Sequence, residues 1–483
     1  MAATAAAPWN LLFIYTDQQR FDTLAAYGNQ QIHMPNLNRL ASQSTVFEKA
    51  YVTQPVCTPS RSSLLTGLYP HTNGMIRNNL CLPPDIPCLP EFLHDGYATA
   101  HHGKWHLGDE IFPQHGFREW RATEDAYYPY FRGDKDKSAR SHYHHFLLRN
   151  GVTPDQDNLF GRGFCCELPE ALGKPAFLGN EGCRFIREHQ NEPFALYVNF
   201  LEPHTPHFGP RDGQYDPRSI PLPPNFYDEL SMDKHPKVRI RQHQFKQRSF
   251  KDMPLTDEAT WRRIRANYWG LCSLVDSQAG RILRTLEDCN LMDRTVIVFT
   301  SDHGDMLGSH RMLYKDVMFE EAARVPLLIR LPGQKQMQRV QQPVSQIHIV
   351  PTLLDLMRTP VPSNLQGRSL RPTLEGHRQE LDDVVVEWNS NRNDPAFKVS
   401  SWYDEETMAD ICTPEEAQCA FGDPIRTLVT RDGRWKFNCS PAGFHELYNL
   451  EKDPYECTNL AATTEGRRVI QELMPRLRTW QEA

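Results

Sequence analysis

The chain has no apolar run long enough to span a membrane, no internal repeat, no low-complexity tract and no excess of positive charge. The first lack leaves no membrane-crossing helix to place, and the second gives no sign of a solenoid or repeat array. A formal charge of −7, from 53 basic and 60 acidic residues, gives no global attraction to nucleic acid or to an anionic membrane. An anionic substrate must therefore be drawn by local positive charge. The 12 cysteines follow no repeating spacing. Cys81 with Cys88 could form a disulfide and Cys165 with Cys166 a buried pair, while scattered free thiols are the plainer reading. The opening M-A-A-T-A-A-A-P-W-N has neither the basic residues nor the long apolar core of a secretory signal. As written the chain reads as cytoplasmic, or as periplasmic or secreted if a signal has been removed.

What is present fits a large domain with a smaller one beside it. The 483 residues are 39% hydrophobic and 10% aromatic, enough for a sizeable core. Four short apolar runs stand out, at 10–16, 97–100, 194–201 and 295–300. Continuous apolar runs of this length suit strands buried on both faces of an α/β sheet. Each ends in polar residues: Asp17 and Gln18, then H-H-G-K-W-H, then E-P-H-T-P-H, then S-D-H-G-D. Sites in open α/β sheets form beyond the carboxyl ends of the strands, so all four runs deliver reactive groups to one edge. Helix-like stretches lie between them, such as 36–48 and 261–288. The segment 121–260 is rich in His, Arg, Tyr, Pro and Asp and reads as long loops that either contact substrate or are simply solvated. A Pro/Gly/Ser-containing stretch at 360–380 marks a boundary, which divides the chain into 1–375 and 376–483. The second part reads as a small sheet covered by a helix at 464–481.

The stretch C-T-P-S-R at 57–61 raises a separate question. A phosphatase loop would need arginine at 63, where serine stands, and a C-x-x-C metal site would need cysteine at 60, which is also serine. A low-pKa thiolate at a helix start and an inert buried thiol both remain open.

The pattern Cys-x-Pro-Ser-Arg followed by x-x-Leu-Leu-Thr-Gly resembles the signature of type I sulfatases, in the alkaline-phosphatase-like superfamily. G-K-W-H-L-G at 103–108, S-D-H-G-D at 301–305 and E-L-Y-N-L-E-K-D-P-Y-E-C-T-N-L at 446–460 are similar to family blocks in their usual order. The resemblance implies an α/β fold: a large mixed sheet flanked by helices, with a smaller C-terminal α+β domain of short antiparallel sheet and helix. It implies that Cys57 is oxidised to Cα-formylglycine by a maturating enzyme. A hydrated formylglycine offers a geminal diol: one hydroxyl attacks sulfur, and the second lets the sulfate leave by elimination. An unmodified thiol lacks that second hydroxyl.

By the same resemblance Asp17, Gln18, Asp302 and His303 hold a divalent cation, usually Ca²⁺, with Mg²⁺ or Mn²⁺ possible. Many relatives carry Asp at the place of Gln18 and Asn at that of His303, and the pairs present here are similar to those of phosphonate monoester hydrolases. Arg61, one helical turn after Cys57, would hold the hydrated aldehyde. Lys104 would clamp the sulfate, His106 would act as base, and His204 and Lys315 would bind sulfate and protonate the leaving oxygen. Arg77 and Asn78 are candidates for lining the pocket. His101, His102, His207 and His310 lie near motif residues, with His310 read as structural. The expected reaction is hydrolysis of a sulfate monoester, of a carbohydrate in the first instance and of another small molecule otherwise. A phosphonate monoester or phosphodiester hydrolase, or an inactive relative that binds sulfated glycans, are the alternatives. No nucleic-acid or membrane partner is expected, and the oligomeric state is open.

Overall fold

The computed structural model describes residues 8–391 and 397–482. The alanine-rich start at 1–7 lies outside the described residues. In chain order the strands are β1 (Asn10–Asp17), β2 (Thr45–Tyr51), β3 (Ala98–Gly103), β4 (Glu119–Ala122), β5 (Phe194–Pro203), β6 (Ser249–Phe250), β7 (Met253–Pro254), β8 (Thr295–Ser301), β9 (Arg324–Arg330), β10 (Gln338–Val340), β11 (Val344–Ser345), β12 (Val384–Glu387), β13 (Arg426–Val429), β14 (Trp435–Cys439) and β15 (Glu446–Asn449).

The main sheet runs β10-β2-β9-β8-β1-β5-β3-β4, with β11 also on β2. β8, β1, β5, β3 and β4 are parallel, and β9 runs against both β8 and β2. The central strands are apolar throughout because both of their faces are covered. Leu12 and Ile14 of β1 join one core, with Ile297 and Phe299 of β8 and Leu196 and Val198 of β5. Leu11, Phe13 and Tyr15 turn to a second core on the opposite face. The helices Lys174–Glu188 and Glu258–Asp288 cover the first face, and Cys57–Thr66 and Ile349–Leu356 the second. The C-terminal sheet is antiparallel, β12-β13-β14-β15. Val469, Leu473 and Leu477 of the helix Thr464–Glu482 pack on it. The chain thus has the α/β architecture expected, a large mixed sheet with a small α+β unit.

Several details differ from the sequence expectation. The 36–48 stretch is not one helix. It is helical only over Pro35–Ala41, and β-branched and aromatic residues then carry the chain into β2. The second run extends through His101, His102 and Gly103 as β3, because its neighbours β4 and β5 continue the ladder. The segment 121–260 is not loop throughout. His142–Arg149, Lys174–Glu188 and Pro236–Lys246 are helices, and Arg239 and Arg241 are buried. The disulfide does not form: all twelve cysteines are free. Cys81 Sγ bonds the Tyr130 carbonyl, whereas Cys88 is buried at the start of the helix Leu89–Phe92. Cys165 is buried and Cys166 only partly so.

Gly103 closes β3 and turns the chain towards Lys104. Its φ is +115°, and a Cβ there would stand 2.0 Å from the Asn199 carbonyl oxygen. Gly103→Ala is expected to destabilise the fold by at least about 1–3 kcal/mol from backbone strain alone, with the clash adding to it. Chemical denaturation would check this. An unchanged midpoint would show that β3 and β5 can separate at no cost.

Candidate active site

The parallel strands converge on one edge, where Asp17 ends β1 and Asp302 follows β8. The helix Cys57–Thr66 points its first residue at them. Arg61, fully buried, joins the pieces. Its Nη2 donates to Asp17 Oδ2 at 2.9 Å and its Nε to Asp302 Oδ2 at 2.8 Å. Its Nη1 donates to the Lys104 carbonyl at 2.7 Å and to Asn199 Oδ1 at 2.8 Å. Lys104 Nζ adds a 2.6 Å bond to Asp17 Oδ2. Burial would raise the Asp17 carboxyl, but Lys104, His204, Arg61 and Lys315 hold it well below the usual carboxylate range.

With both Oδ2 atoms taken by Arg61, the Oδ1 atoms face His303. His303 Nε2 lies 3.6 Å from Asp17 Oδ1 and 3.5 Å from Asp302 Oδ1. The Gly304 carbonyl, 3.0 Å from Nδ1, can only accept, so Nδ1 carries a proton. Burial would lower the ring, but Asp302 and Cys57 hold it above its ordinary value, and a cation at Nε2 would take the place of a proton there. Asp17, Cys57, Asp302 and His303 thus bring ligand atoms within 4.8 Å of one another. Two carboxylate oxygens and an imidazole nitrogen with a backbone-fixed tautomer fit a divalent cation such as Ca²⁺, Mg²⁺ or Mn²⁺.

Gln18 is placed differently from the other expected ligands. Its side-chain oxygen accepts from Lys315 Nζ at 2.5 Å, its side-chain nitrogen donates to Asp305, and its backbone N–H donates to Asp302 Oδ1 at 3.0 Å. Cys57 is 2% exposed, with Sγ 3.1 Å from His303 Nε2 and 3.8 Å from Asp17 Oδ1. Burial and Asp17 push its thiol up, yet Lys104, Lys315 and His303 bring it below its ordinary value. These surroundings are charged and rich in hydrogen-bonding groups. They suit an oxygen function at residue 57 better than an inert thiol.

The remaining expected residues surround this centre. His106 (φ +57°) stacks on Tyr127 at 4.3 Å between ring centroids and bonds Asn79 Oδ1 through Nε2 at 2.9 Å. Its Nδ1 is buried with no hydrogen-bond partner among the described residues. His204, at the end of β5, bonds the Thr205 carbonyl through Nδ1 at 2.7 Å. Burial keeps both histidines well below the ordinary imidazole value, helped by Lys104 at His106 and by Lys315 at His204. Asn78 caps the helix: its Oδ1 accepts from the Thr58 N–H at 3.0 Å. Arg77 is half-buried beside it and donates to the Asn78 carbonyl at 3.3 Å. His310 is tied to Asp228 at 2.7 Å, and His101 is buried among Trp105, Phe117 and Trp120.

The sequence reading had not singled out Asn199, Asp305, Asn79 or Tyr127. Asn199 had a signal, a polar residue inside an otherwise apolar strand, and Asp305 stood in the quoted S-D-H-G-D. Tyr127 had none, since it sits in the polar segment among many similar residues.

Positive charge gathered over metal-ready carboxylates at the end of a parallel sheet is equipment for holding and cleaving an oxyacid ester. It defines a hydrolase of the alkaline-phosphatase-like class. Comparison with known proteins narrows the class. Residues 9–359 match the family model described as Sulfatase, so the chain belongs to the sulfatase family and is a sulfuric ester hydrolase. It is 30% identical over 395 residues to the ulvan-active sulfatase of Formosa agariphila, covering 79% of this chain and 68% of that one. It is 25% identical over 528 residues to the N-acetylglucosamine-6-O-sulfatase of Bacteroides thetaiotaomicron, covering 98% and 86%. Of solved structures, the phosphonate monoester hydrolase of Silicibacter pomeroyi matches with a TM-score of 0.80 over 98% of this chain and 95% of that one, at 24% identity, a likeness of fold.

A cation held by Asp17, Asp302 and His303 stabilises the folded state by mass action, about 2.7 kcal/mol at a hundredfold excess over Kd. Ca²⁺, Mg²⁺ or Mn²⁺ is therefore expected to raise the thermal midpoint of the wild type and to leave that of Asp302→Asn nearly unmoved. Equal shifts in the two proteins would remove Asp302 from the cation site.

Proposed function

We propose that this sulfatase hydrolyses the sulfate monoester of a carbohydrate to an alcohol and inorganic sulfate, using formylglycine made from Cys57 by a maturating enzyme and a divalent cation. The observation that carries the reading is the placement of Cys57 at a buried helix start, facing Asp17 and His303 and one turn from Arg61. The relatives active on ulvan and on N-acetylglucosamine 6-O-sulfate support a sugar as the alcohol.

Converted and hydrated, residue 57 would supply the attacking hydroxyl, with the cation lowering that hydroxyl's pKa. The other residues bind and move protons. Lys104 stays charged because Asp17 outweighs burial, and before conversion Cys57 and Asp17 do the same for Lys315; both lysines would neutralise the sulfuryl oxygens. The helix start adds partial positive charge on the same side. His204 is neutral in the free enzyme, so the proton for the leaving oxygen is held on Lys315 Nζ. The negative charge of a bound sulfate works towards protonating His204 Nε2 as well. His106 donates through Nε2 to Asn79 and keeps its lone pair on Nδ1, so Nδ1 is where it would take a proton.

The fold likeness to a phosphonate monoester hydrolase, together with Gln18 and His303, favours a second reading on the same scaffold. Mass spectrometry of the peptide bearing residue 57 and parallel assays on an aryl sulfate and an aryl phosphonate monoester separate the two. Formylglycine with a higher kcat/KM on the sulfate is expected. Full activity from unmodified Cys57 would overturn the mechanism, and a much higher kcat/KM on the phosphonate would overturn the substrate class.

Lys315→Ala is expected to lose about 10²- to 10⁴-fold in kcat on a sugar sulfate. The loss on a 4-nitrophenyl sulfate should be much smaller, because that leaving group departs without protonation. Equal losses on the two substrates would take the proton-donor role away from Lys315.

A further inference from the structure

Linked to the same site through Tyr127 is a second charge cluster, and its charges do not balance. Glu124 is buried and receives two cations, Arg162 Nη2 at 2.6 Å and the Lys174 ammonium. Burial would raise the Glu124 carboxyl, but those two cations hold it at about 2. Two positive charges therefore share one negative charge. The next acid in electrostatic reach is Glu202, two residues before His204. It makes no ion pair among the described residues, and its Oε2 is buried without a hydrogen-bond partner. Burial pushes Glu202 up to about 7, so near neutral pH it offsets the surplus only in part.

Lys174 is sealed in, but Arg162 is not: a quarter of its side chain is exposed. Of its nitrogens only Nη2 is bonded, to Glu124 and at 3.4 Å to the Tyr127 hydroxyl. Nε is buried without a partner, and Nη1 has none among the described residues. The partly exposed Arg162 is therefore left with Nη1 open to a further acceptor. Tyr127 in turn stacks on His106 and lies 5.6 Å from Lys104 Nζ, measured to the ring centroid. Arg162 thus stands one aromatic ring beyond the cations at the reaction centre, where the alcohol portion of a bound ester would lie.

We propose that Arg162 determines specificity by binding a second anionic oxygen group, a carboxylate or a further sulfate, on the saccharide that carries the scissile ester. The inference rests on the sulfatase reading of the cleft and narrows its substrate class to saccharides with at least two negative charges. A guanidinium whose Nη1 is unpartnered matches either oxyacid by charge-assisted hydrogen bonding.

The test is calorimetric binding to Cys57→Ala protein, which needs no maturation and does not turn over. Two pairs of probes separate the two sources of charge. N-acetylglucosamine 6-O-sulfate against glucosamine 2-N,6-O-disulfate reports on a second sulfate, and a sulfated uronate-containing disaccharide against its carboxyl-reduced form reports on a carboxylate. At least one doubly charged probe is expected to bind about 10-fold or more tighter than its partner. Arg162→Gln should abolish that preference. Arg162→Lys keeps a cation against Glu124, and with it the fold, but replaces the fork by a point charge and should reduce the preference. The proposal falls if neither pair shows a preference, or if the preference is unchanged in every variant that folds. Failure of the sulfatase reading would be seen separately, as matured wild-type protein that releases no sulfate from an aryl sulfate whatever the binding result.

Discussion

One buried guanidinium organises the catalytic edge of this molecule. Arg61 reaches from the helix Cys57–Thr66 to the ends of β1 and β8 through Asp17 and Asp302, to the turn after β3 through the Lys104 carbonyl, and to β5 through Asn199. An arginine with no access to water is tolerable only when its donors are filled and its charge is met. Here both conditions hold, so the carboxylates and the guanidinium keep one another in place. Because Arg61 binds Oδ2 of each carboxylate, it leaves both Oδ1 atoms turned towards His303. The arrangement that could hold a cation is a by-product of how the arginine is satisfied.

The same constraint explains why the motif helix is so polar. All ten residues of Cys57–Thr66 are buried, yet half of them carry hydroxyl groups. Each hydroxyl is satisfied close to home. Thr58 donates to the His106 carbonyl, Ser60 to Gln346, Ser62 to the Pro59 carbonyl, Ser63 to the Leu68 carbonyl and Thr66 to the Ser62 carbonyl. These bonds hold the helix rigidly between the sheet and the Asn73 and Asn78 side chains, which bond Ser62 and the Thr58 N–H. Residue 57 is fixed as a result, since it lies one turn from Arg61 on a helix that cannot slide. The motif C-T-P-S-R is visible in the chain, but the reason for its serines and threonines is visible only once the helix is known to be buried on every side.

Much of the fold was legible because its central strands are apolar on both faces, which makes them continuous runs ending in polar residues. β1, β5 and β8 fall within a few residues of where the sequence places them, and all four runs do end at one edge. The errors come from segments whose pattern is mixed. Residues 36–48 read as a helix because a short helix runs directly into β2 with only Ser42, Gln43 and Ser44 between them. The stretch 121–260 read as loop because its helices bury charges in pairs, and composition alone cannot separate a paired buried arginine from a solvated one. The ion pairs that join Arg162 and Lys174 to Glu124 bring residues far apart in sequence together, so no local spacing announces them.

The residue at 18 shows how a departure from a family pattern is read in context. A second aspartate there would face Asp305 as a like charge and could only accept. Glutamine gives Asp305 a donor and Lys315 an acceptor from the same amide, and so couples the lysine to the S-D-H-G-D turn. Asp305 in turn accepts the Leu307 and Tyr314 N–H groups through its other oxygen, at 2.7 and 3.0 Å, which orders the loop that leads to Lys315. Gln18 and Asp305 are therefore two halves of one device that sets the height of the Lys315 ammonium above the site. On this reading the glutamine is not by itself a mark of phosphonate chemistry. It follows from an aspartate at 305, and its amide ties that aspartate to the Lys315 ammonium.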